Sequence, residues 1–318
     1  MISLNRREYE ARINLVMDYI RLHTSDDLSL NVLAKVANFS PYHFHRIFKA
    51  IVGETLNDFT RRIRIEKASK MLVLNPRKTI TEIAFECGFS SSATFSRSFR
   101  EHFGASPTEW RSGGWKKFSK IHQKKSKKRK VKSNIRQDIS LPAGDNIRVK
   151  RRKSKERRGK GAKVEVKELP TYHVAYMRHI GPYGPELLDF WQRFIRWARA
   201  RDLIRPDTVI LGVPHGSPQF TEPGKLLYDT CIIVPENFTP EEDINVMDIP
   251  GGKYALCLFR GTAGEHEKRF EELFLDWMPD SGYQPDDRHF FHRYRDLNFY
   301  NPATRILECE ICIPVKPL

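Results

Sequence analysis

A helix-turn-helix pattern occurs twice between Leu28 and Arg111, and this repeat restricts the fold more than any other feature of the 318-residue sequence. In the first part of the repeat, Leu30, Leu33, Ala34, Phe39 and Ser40 recur fifty positions later as Ile80, Ile83, Ala84, Phe89 and Ser90. After one inserted residue, Phe44, Arg46, Phe48, Gly53 and Phe59 return as Phe95, Arg97, Phe99, Gly104 and Trp110. A close internal repeat of this kind indicates a structural unit that is used twice.

Each copy is typical of two helices joined by a short turn. Ser29 is placed to cap a first helix that extends to Ala37, and Asn38 suits the left-handed conformation that ends it. Ser40 then caps a second helix, with Pro41 at the first position, where a missing N–H costs little. The second copy follows the same plan, with Gly88 at its turn.

The second helix of each copy has an apolar side and a polar side. In a helix-turn-helix the second helix enters the major groove, and its outward residues contact base edges and phosphates. The outward residues are the predicted DNA-binding residues. They are Tyr42, His45, Arg46 and Lys49 in the first copy, and Ser92, Ser96, Arg97 and Arg100 in the second. The alternative is two ordinary helix pairs with solvated polar sides, but arginine at the same phase in both copies favours DNA recognition.

At these residues the chain resembles the AraC/XylS family of bacterial transcription regulators. The segments 80–89 and 103–111 follow the family signature, and the resemblance covers residues 8 to 112. It implies seven helices, with a long middle helix near Leu56 to Leu74 that holds the two reading helices apart. It also implies one chain bound across two successive major-groove faces. Matching the family's base-reading positions adds Ala93 to the DNA-binding residues. Ala93 replaces a polar residue common at that place, which favours shape or methyl contacts there.

The net charge of +16 is concentrated in one segment. Residues 112–163 contain 21 Lys and Arg against 3 Asp and Glu, whereas residues 164–318 are acidic overall. Because segment 112–163 lacks apolar periodicity, we expect a solvated, mostly disordered tether. The tether either adds salt-sensitive phosphate contacts or is an inert linker. Its length argues against a simple lever between the domains on either side.

Composition places the protein among cytoplasmic, non-membrane proteins. No apolar run approaches the ~20 residues that span a membrane, and the N-terminus lacks a signal-peptide core. Five cysteines in a chain of this size do not suggest a disulfide scaffold.

The chain from residue 164 onward is also duplicated. Pro170, Ala175, Gly181, Phe190, Phe194 and Trp197 recur eighty residues later as Pro250, Ala255, Gly261, Phe270, Phe274 and Trp277. In each half a strand pattern leads through glycine to a helix and then to two more apolar segments. The prediction is a multi-domain protein in which an all-α double helix-turn-helix domain (1–111) and the tether (112–163) precede a duplicated βαββ, α+β domain (164–318). Two such units create an aromatic seam suited to a small molecule.

This half resembles the GyrI-like effector-binding domain of bacterial multidrug sensors, over residues 163 to 317. The matching landmarks are the segments 178–183, 228–229, 249–254 and 311–314. The resemblance implies a cleft between the two units closed by aromatic side chains, with the effector-binding residues Trp277, His292, Tyr294, Tyr228 and Tyr254. Many members have a glutamate where this chain has His292, and an imidazole supplies no fixed negative charge at pH 7. A preference for cationic ligands is therefore not expected.

Other chemistry is less well supported by the sequence. Cys309 and Cys312 are three apart on a strand and should point to opposite faces, as should His289 and His292. The pair His173 and His179 is likewise assigned to opposite faces. No metal site and no cofactor are predicted. Glu308 and Glu310 near His292 could serve proton chemistry, but a solvent-facing strand is the simpler interpretation.

The sequence thus predicts a transcription regulator and not an enzyme. We expect an activator that binds double-stranded promoter DNA, responds to a small-molecule effector and contacts RNA polymerase. One alternative is a structural protein whose tether dominates non-specific DNA binding. The other alternative is a small-molecule hydrolase in the C-terminal half.

Overall fold

The computed structural model describes residues 4–116, 163–205, 208–218, 220–240 and 244–318. The predicted tether therefore falls almost entirely outside the described residues.

The N-terminal domain is helical, and its long fourth helix has the predicted bounds. The helices are α1 (Leu4–Leu22), α2 (Leu30–Val36), α3 (Pro41–Val52), α4 (Leu56–Leu74), α5 (Ile80–Glu86), α6 (Ser92–Phe103) and α7 (Pro107–Glu109), followed by a wide turn at Trp110–Gly114. Thr55 caps α4, and Thr79 with Glu82 forms a reciprocal capping box on α5. These local signals place the helix starts where the repeat predicts them.

The turns explain the inserted residue of the repeat. Asn38 and Gly88 both have positive φ, 51° and 83°, so both helices end in the left-handed conformation that was expected. The first copy then starts α3 after Ser40, whereas the second starts α6 after Ser91, one residue later. A Cβ on Gly88 would lie 2.0 Å from the carbonyl oxygen of Thr24. Glycine is therefore required there for space as well as for conformation.

Not every predicted cap forms its hydrogen bond. Ser29 and Ser40 occupy N-cap positions, but neither side chain caps its helix. The Ser29 hydroxyl instead donates to the carboxylate of Asp27, at 3.2 Å. Ser91 does cap α6, since its hydroxyl accepts from the Thr94 N–H.

Each helix-turn-helix unit has its own core. In the first, the apolar side of α1 packs against the unit as predicted, with Ile13, Val16 and Met17 fully buried. In the second, the rings of Phe95 and Phe99 pack edge to face, and the Trp110 ring packs edge to face on Phe99. The Trp110 indole donates to the Ser69 carbonyl on α4, which ties the end of the domain to its middle helix.

The C-terminal domain is a strand-rich α+β unit. Its strands are β1 (Val164–Leu169), β2 (Tyr172–Ile180), β3 (Ile210–Pro214), β4 (Leu227–Ile233), β5 (Asn245–Ile249), β6 (Gly252–Gly261), β7 (Tyr283–Pro285), β8 (Phe291–Tyr294), β9 (Tyr300–Asn301) and β10 (Ile306–Pro317). Its helices are α8 (Pro185–Arg199), α9 (Ala263–Glu272), which continues into a wide turn at Leu273–Trp277, and α10 (Met278–Asp280).

The sheet order, β1-β6-β10-β8-β3-β4-β2-β5, has the pseudo-twofold symmetry expected of the duplication. Strands β1 and β5, which were not predicted, lead into β2 and β6. They pair across the halves, β1 with β6 and β5 with β2, all antiparallel. A Cβ on Gly251 would lie 2.7 Å from both the Leu169 oxygen and the Thr171 nitrogen. The two repeated bends therefore cross in close contact.

Helices α8 and α9 cover one face of this sheet, called here the helix face. Its core contains Cys309, whereas Cys312 packs in the core of the opposite face, which confirms the predicted orientation of this pair. The prediction for His173 and His179 is wrong. They lie six residues apart on β2, and an even separation keeps two strand side chains on the same face.

The two domains pack directly against each other. The long linker expected from the sequence gave no indication of this contact. Ile180 and Leu227 join the core of the first helix-turn-helix unit. The Asn245 amide donates to the Ala11 carbonyl on α1 at 3.1 Å, and the Thr221 hydroxyl donates to Glu66 on α4 at 2.9 Å. The C-terminal domain thus lies against α1 and α4.

Candidate functional site

The predicted reading side of α3 is exposed. Phe44 and Phe48 are fully buried, which fixes the rotation of the helix, and the outward residues face solvent. Those exposed residues are Tyr42, His45, Arg46 and Lys49. Tyr42 is 72% exposed, which is unusual for a large aromatic side chain without a partner surface.

The reading side of α6 is smaller and partly recessed. Ala93, Arg97 and Arg100 are exposed, whereas Ser92 and Ser96 are half-buried. Arg97 repeats the phase of Arg46 because both helices bury their phenylalanines in the same pattern. The second helix therefore presents mainly guanidinium groups and a methyl group.

A network of buried charges joins the C-terminal domain to α1. Arg178 on β2 donates through Nε and Nη2 to both carboxylate oxygens of Asp229, at 2.7 and 2.6 Å. Its Nη2 also donates to Asp18 on α1 at 2.6 Å, and the Tyr176 hydroxyl donates to the same carboxylate. Arg178 and Asp229 side chains are fully buried. Such a pair is stable only because every charge has a partner.

His215 completes this network. Its Nε2 lies 2.5 Å from Asp229, and its ring packs edge-on against His289. Burial lowers the pKa of His215, so the ring is neutral near pH 7 and donates to the carboxylate. Burial opposes ionisation of Asp229, but Arg178 and His215 outweigh it and hold its pKa below the usual range. Sequence reasoning missed this network because its members are far apart in the chain.

An aromatic cluster occupies the seam between the two halves on the helix face. The hydroxyls of Tyr228 and Tyr294 are 3.0 Å apart, and Trp191 packs edge-on against both rings. Phe299 lies against Tyr294 with ring centroids 4.3 Å apart. Burial raises the pKa of both tyrosines, so they are neutral hydrogen-bonding groups. Trp191 and Phe299 were not among the predicted effector residues.

The other predicted effector residues are distributed unevenly. Trp277 is half-buried and packs against the same helix-face core. His292 is buried, with its Nε2 2.9 Å from the Nε2 of His266 on α9. Tyr254 does not join them: it packs in the core of the opposite face, and its hydroxyl donates to the Pro250 carbonyl. The reason is strand parity, because its neighbour Ala255 takes the helix face.

A cleft of about 260 Å³ lies instead between the two domains. Its lining alternates acidic and basic groups, including Asp58, Arg61, Glu222 and Lys225. Small-molecule sites are usually lined by apolar and aromatic groups, so this charged cleft fits an effector less well than the aromatic cluster does.

Two family models match the chain, one in each domain. A helix-turn-helix domain matches residues 33–113, and a GyrI-like small molecule binding domain matches residues 162–316. The protein belongs to the AraC-type transcriptional regulators. Its helical domain is the DNA-binding part of this regulator, and its C-terminal domain is a GyrI-like small-molecule-binding domain.

Relatives of this regulator are named for the same role. The SPbeta prophage-derived transcriptional regulator YosT of Bacillus subtilis (strain 168) is 33% identical over 155 residues, 48% of this chain and 99% of YosT. The transcription factor PqrA of Proteus vulgaris is 34% identical over 106 residues, 32% of this chain and 86% of PqrA. An HTH-type regulator of Staphylococcus aureus (strain COL) is 37% identical over 102 residues, 32% of this chain but only 14% of its own length.

Among the described residues, no helix of this regulator is both long and apolar enough to cross a bilayer.

Proposed function

We propose that this regulator acts in the cytoplasm and binds an asymmetric, two-block promoter site, with α3 and α6 in successive major-groove faces. One observation supports the proposal most directly. Helices α3 and α6 expose corresponding sides, with Arg46 and Arg97 at equivalent positions, while the C-terminal domain packs against α1 and α4. Among the described contacts between the domains, none involves the exposed residues of α3. A duplex can therefore approach the reading side of α3 while the effector domain stays docked, and on α6 that domain contacts Phe103, at the end of the helix away from Ser92 and Ala93.

The exposed side chains divide into two kinds of contact. Arg46 and Arg97 are suited to bidentate hydrogen bonds with guanine, and Tyr42 and His45 offer further contacts to base edges. Lys49 and Arg100 lie one turn further along and suit phosphates. Ala93 suits a thymine methyl, and the half-buried Ser92 and Ser96 suit only a closely approaching backbone.

The effector site in this proposal is the aromatic cluster on the helix face. Tyr228, Tyr294, Trp277 and His292 line it, with Trp191 in addition, whereas Tyr254 has no part because of its face. Burial lowers the pKa of His292 well below its usual value, so the ring carries no charge near neutral pH. The lining therefore offers no fixed charge, and a neutral aromatic ligand fits it better than a charged one. Such a ligand has to part Tyr228 from Tyr294.

Strand β4 connects the aromatic cluster to the DNA-binding domain. Tyr228 and Asp229 are adjacent on β4, so their side chains project to opposite faces of the sheet. A ligand that displaces Tyr228 strains the strand that positions Asp229, and Asp229 orients Arg178 against Asp18. We infer that the effector signal reaches α1 by this route and not through the tether. Activation then results from altered presentation of the helices to promoter DNA and RNA polymerase.

Selection of bound sequences from random duplex DNA at ~0.2 M salt tests the DNA-binding part. The proposal expects a reproducible motif with two conserved blocks about one helical turn apart. Binding without a motif, which fades uniformly as salt rises, would support the alternative of a non-specific binder dominated by the tether. The selection should be done both in buffer and in cell extract. A motif that appears only in extract would mean that binding needs an effector, whereas no motif in either would mean that the protein lacks sequence specificity.

A further inference from the structure

Two imidazoles and a thiol meet beneath α9, on the helix face of the sheet. His266 lies in the second turn of α9, His292 on β8 and Cys309 on β10. One ligand atom from each residue lies within 4.8 Å of the other two. The three residues come from separate elements, so no motif in the sequence indicates the cluster.

The histidines have unused bonding capacity. The Nε2 atoms of His266 and His292 are 2.9 Å apart, so one hydrogen can bridge them. The Nδ1 of His292 is buried and has no hydrogen-bond partner among the described residues. Because no described residue needs an acceptor at this Nδ1, the ring can carry its hydrogen there and present the lone pair of Nε2 to an ion.

The surroundings favour coordination over proton chemistry. Phe259 packs edge-on against His266, and Phe290 packs edge-on against His292. Within the described part of the chain no carboxylate joins the cluster, so no acidic group there competes for the ring nitrogens. His266 is half-buried, which leaves an entry path and an open coordination position, whereas His292 and Cys309 are buried.

We propose that His266, His292 and Cys309 form a binding site for a zinc-like divalent transition-metal ion. Two imidazoles with one thiolate are a ligand set that Zn²⁺ and its neighbours in the first transition series accept. An ion at ~2.05 Å from both Nε2 atoms subtends an angle of about 90°, and a small opening reaches tetrahedral geometry. Binding forms two metal–nitrogen bonds and one metal–sulfur bond. The Cys309 thiol proton passes to solvent, and no oxidation is involved.

The bound ion would join α9 to the sheet beside the aromatic cluster. The His292 ring lies 6.2 Å from the Tyr294 ring, so coordination restricts the residue that a ligand has to move. This regulatory consequence rests on the effector role proposed above, whereas metal binding itself does not. The ion is either the effector or a structural element that sets the response.

Cobalt titration of the full-length, metal-free protein tests the site. We expect a thiolate-to-cobalt charge-transfer band in the near ultraviolet and visible bands of tetrahedral Co²⁺, both removed by added Zn²⁺. Cys309→Ser should abolish the charge-transfer band, and His266→Gln should weaken binding by more than ~10-fold. His266 is half-buried, so this second variant should fold even if Cys309→Ser does not.

Two matched variants control for cysteine and histidine content. Cys312→Ser changes the other face of the same strand, and His179→Gln changes another half-buried histidine on the helix face. Both should keep the spectrum and the affinity. The proposal is overturned if the wild type gives no charge-transfer band, or if the band survives Cys309→Ser. If a two-block DNA motif is still selected in that case, only the metal site fails and the regulator function stands.

Discussion

The guanidinium of Arg178 donates to the carboxylate of Asp18 at 2.6 Å, across the junction between the effector domain and the DNA-binding domain. The residues are separated by 160 positions in the chain. Because Arg178 simultaneously pairs with Asp229, the contact holds α1 to a strand that also carries Tyr228. This arrangement supplies a short route from the aromatic cluster to the reading domain.

Replacing Arg178 should therefore destabilise the junction strongly. Arg178→Met leaves Asp18 and the fully buried Asp229 without their cation, which costs ~3–5 kcal/mol in comparable buried pairs. Urea unfolding measures the loss. Glu8→Gln, an exposed α1 carboxylate paired only with Arg12 in the described structure, is the control and should change stability by less than ~0.5 kcal/mol. A small effect of Arg178→Met would show that the domains are held by apolar contacts.

The arginines of the reading helices should determine DNA specificity. Arg46→Ala or Arg97→Ala should cost ~1–3 kcal/mol on the selected site and relax preference at one base pair. Lys268→Ala on exposed α9 removes the same charge away from the helices and should leave preference intact. Competition binding against random DNA measures both effects. Equal weakening on selected and random DNA would contradict base reading and reduce these arginines to phosphate contacts.

Gly212 on β3 lies directly beneath the tyrosine pair. A Cβ there would lie 1.9 Å from the Tyr228 hydroxyl oxygen, so Gly212→Ala must displace that side chain. We expect a loss of ~1–3 kcal/mol and a changed fluorescence of Trp191, which packs on both tyrosines. Gly264→Ala, where a Cβ meets nothing within 4 Å, is the control. Unchanged fluorescence in Gly212→Ala would mean that the cluster adapts without moving.

Two histidines at the junction, His215 and His289, should make the protein less stable in acid. The free energy of unfolding should fall below about pH 6.5, the usual histidine pKa. Burial lowers the pKa of His215, and burial together with His215 and Arg21 lowers the pKa of His289 to about 3. Asp229 and Arg178 also face these rings. The unfolded imidazoles take up protons below pH 6.5 while the folded ones do not. The free energy of unfolding therefore falls as pH drops from there toward the folded pKa values.

Urea midpoints at several pH values between 7.5 and 5 measure this slope. His289→Phe keeps an aromatic ring against His215 but removes one titrating group, so its slope should be shallower by up to ~1.4 kcal/mol per pH unit. Identical slopes in wild type and His289→Phe would assign the pH dependence to other groups.

The basic run at 124–130 should act on affinity and not on sequence preference. Replacing its six Lys and Arg residues by Gln removes candidate phosphate-binding charges in a segment outside the described residues. The slope of log affinity against log salt should then become shallower, by ~0.9 for each phosphate that the protein no longer neutralises. A changed motif after this replacement would show that the segment also contributes to specificity.

Much of the N-terminal domain could be predicted because its signals are local. The repeated phenylalanines determine which side of α3 and α6 is buried, and Asn38 and Gly88 determine where the preceding helices end. Side-chain hydrogen bonds were harder to predict. The Ser29 hydroxyl, for example, donates to the Asp27 carboxylate and does not cap α2. A cap position is a matter of backbone spacing, whereas the side-chain bond depends on competing partners.

In the C-terminal domain the sequence by itself determined the duplication, most strands and the relative orientation of neighbours on one strand. Only the tertiary structure decided which face of the sheet receives the helices, and so placed Tyr228 and Tyr294 together while it sent Tyr254 to the other side. It also decided the contacts between residues that are far apart in the chain, namely Arg178 with Asp18, and His266 with His292 and Cys309. The physical reason is that periodicity records burial along one element, whereas contacts between elements depend on strand order and domain docking, which leave no local pattern.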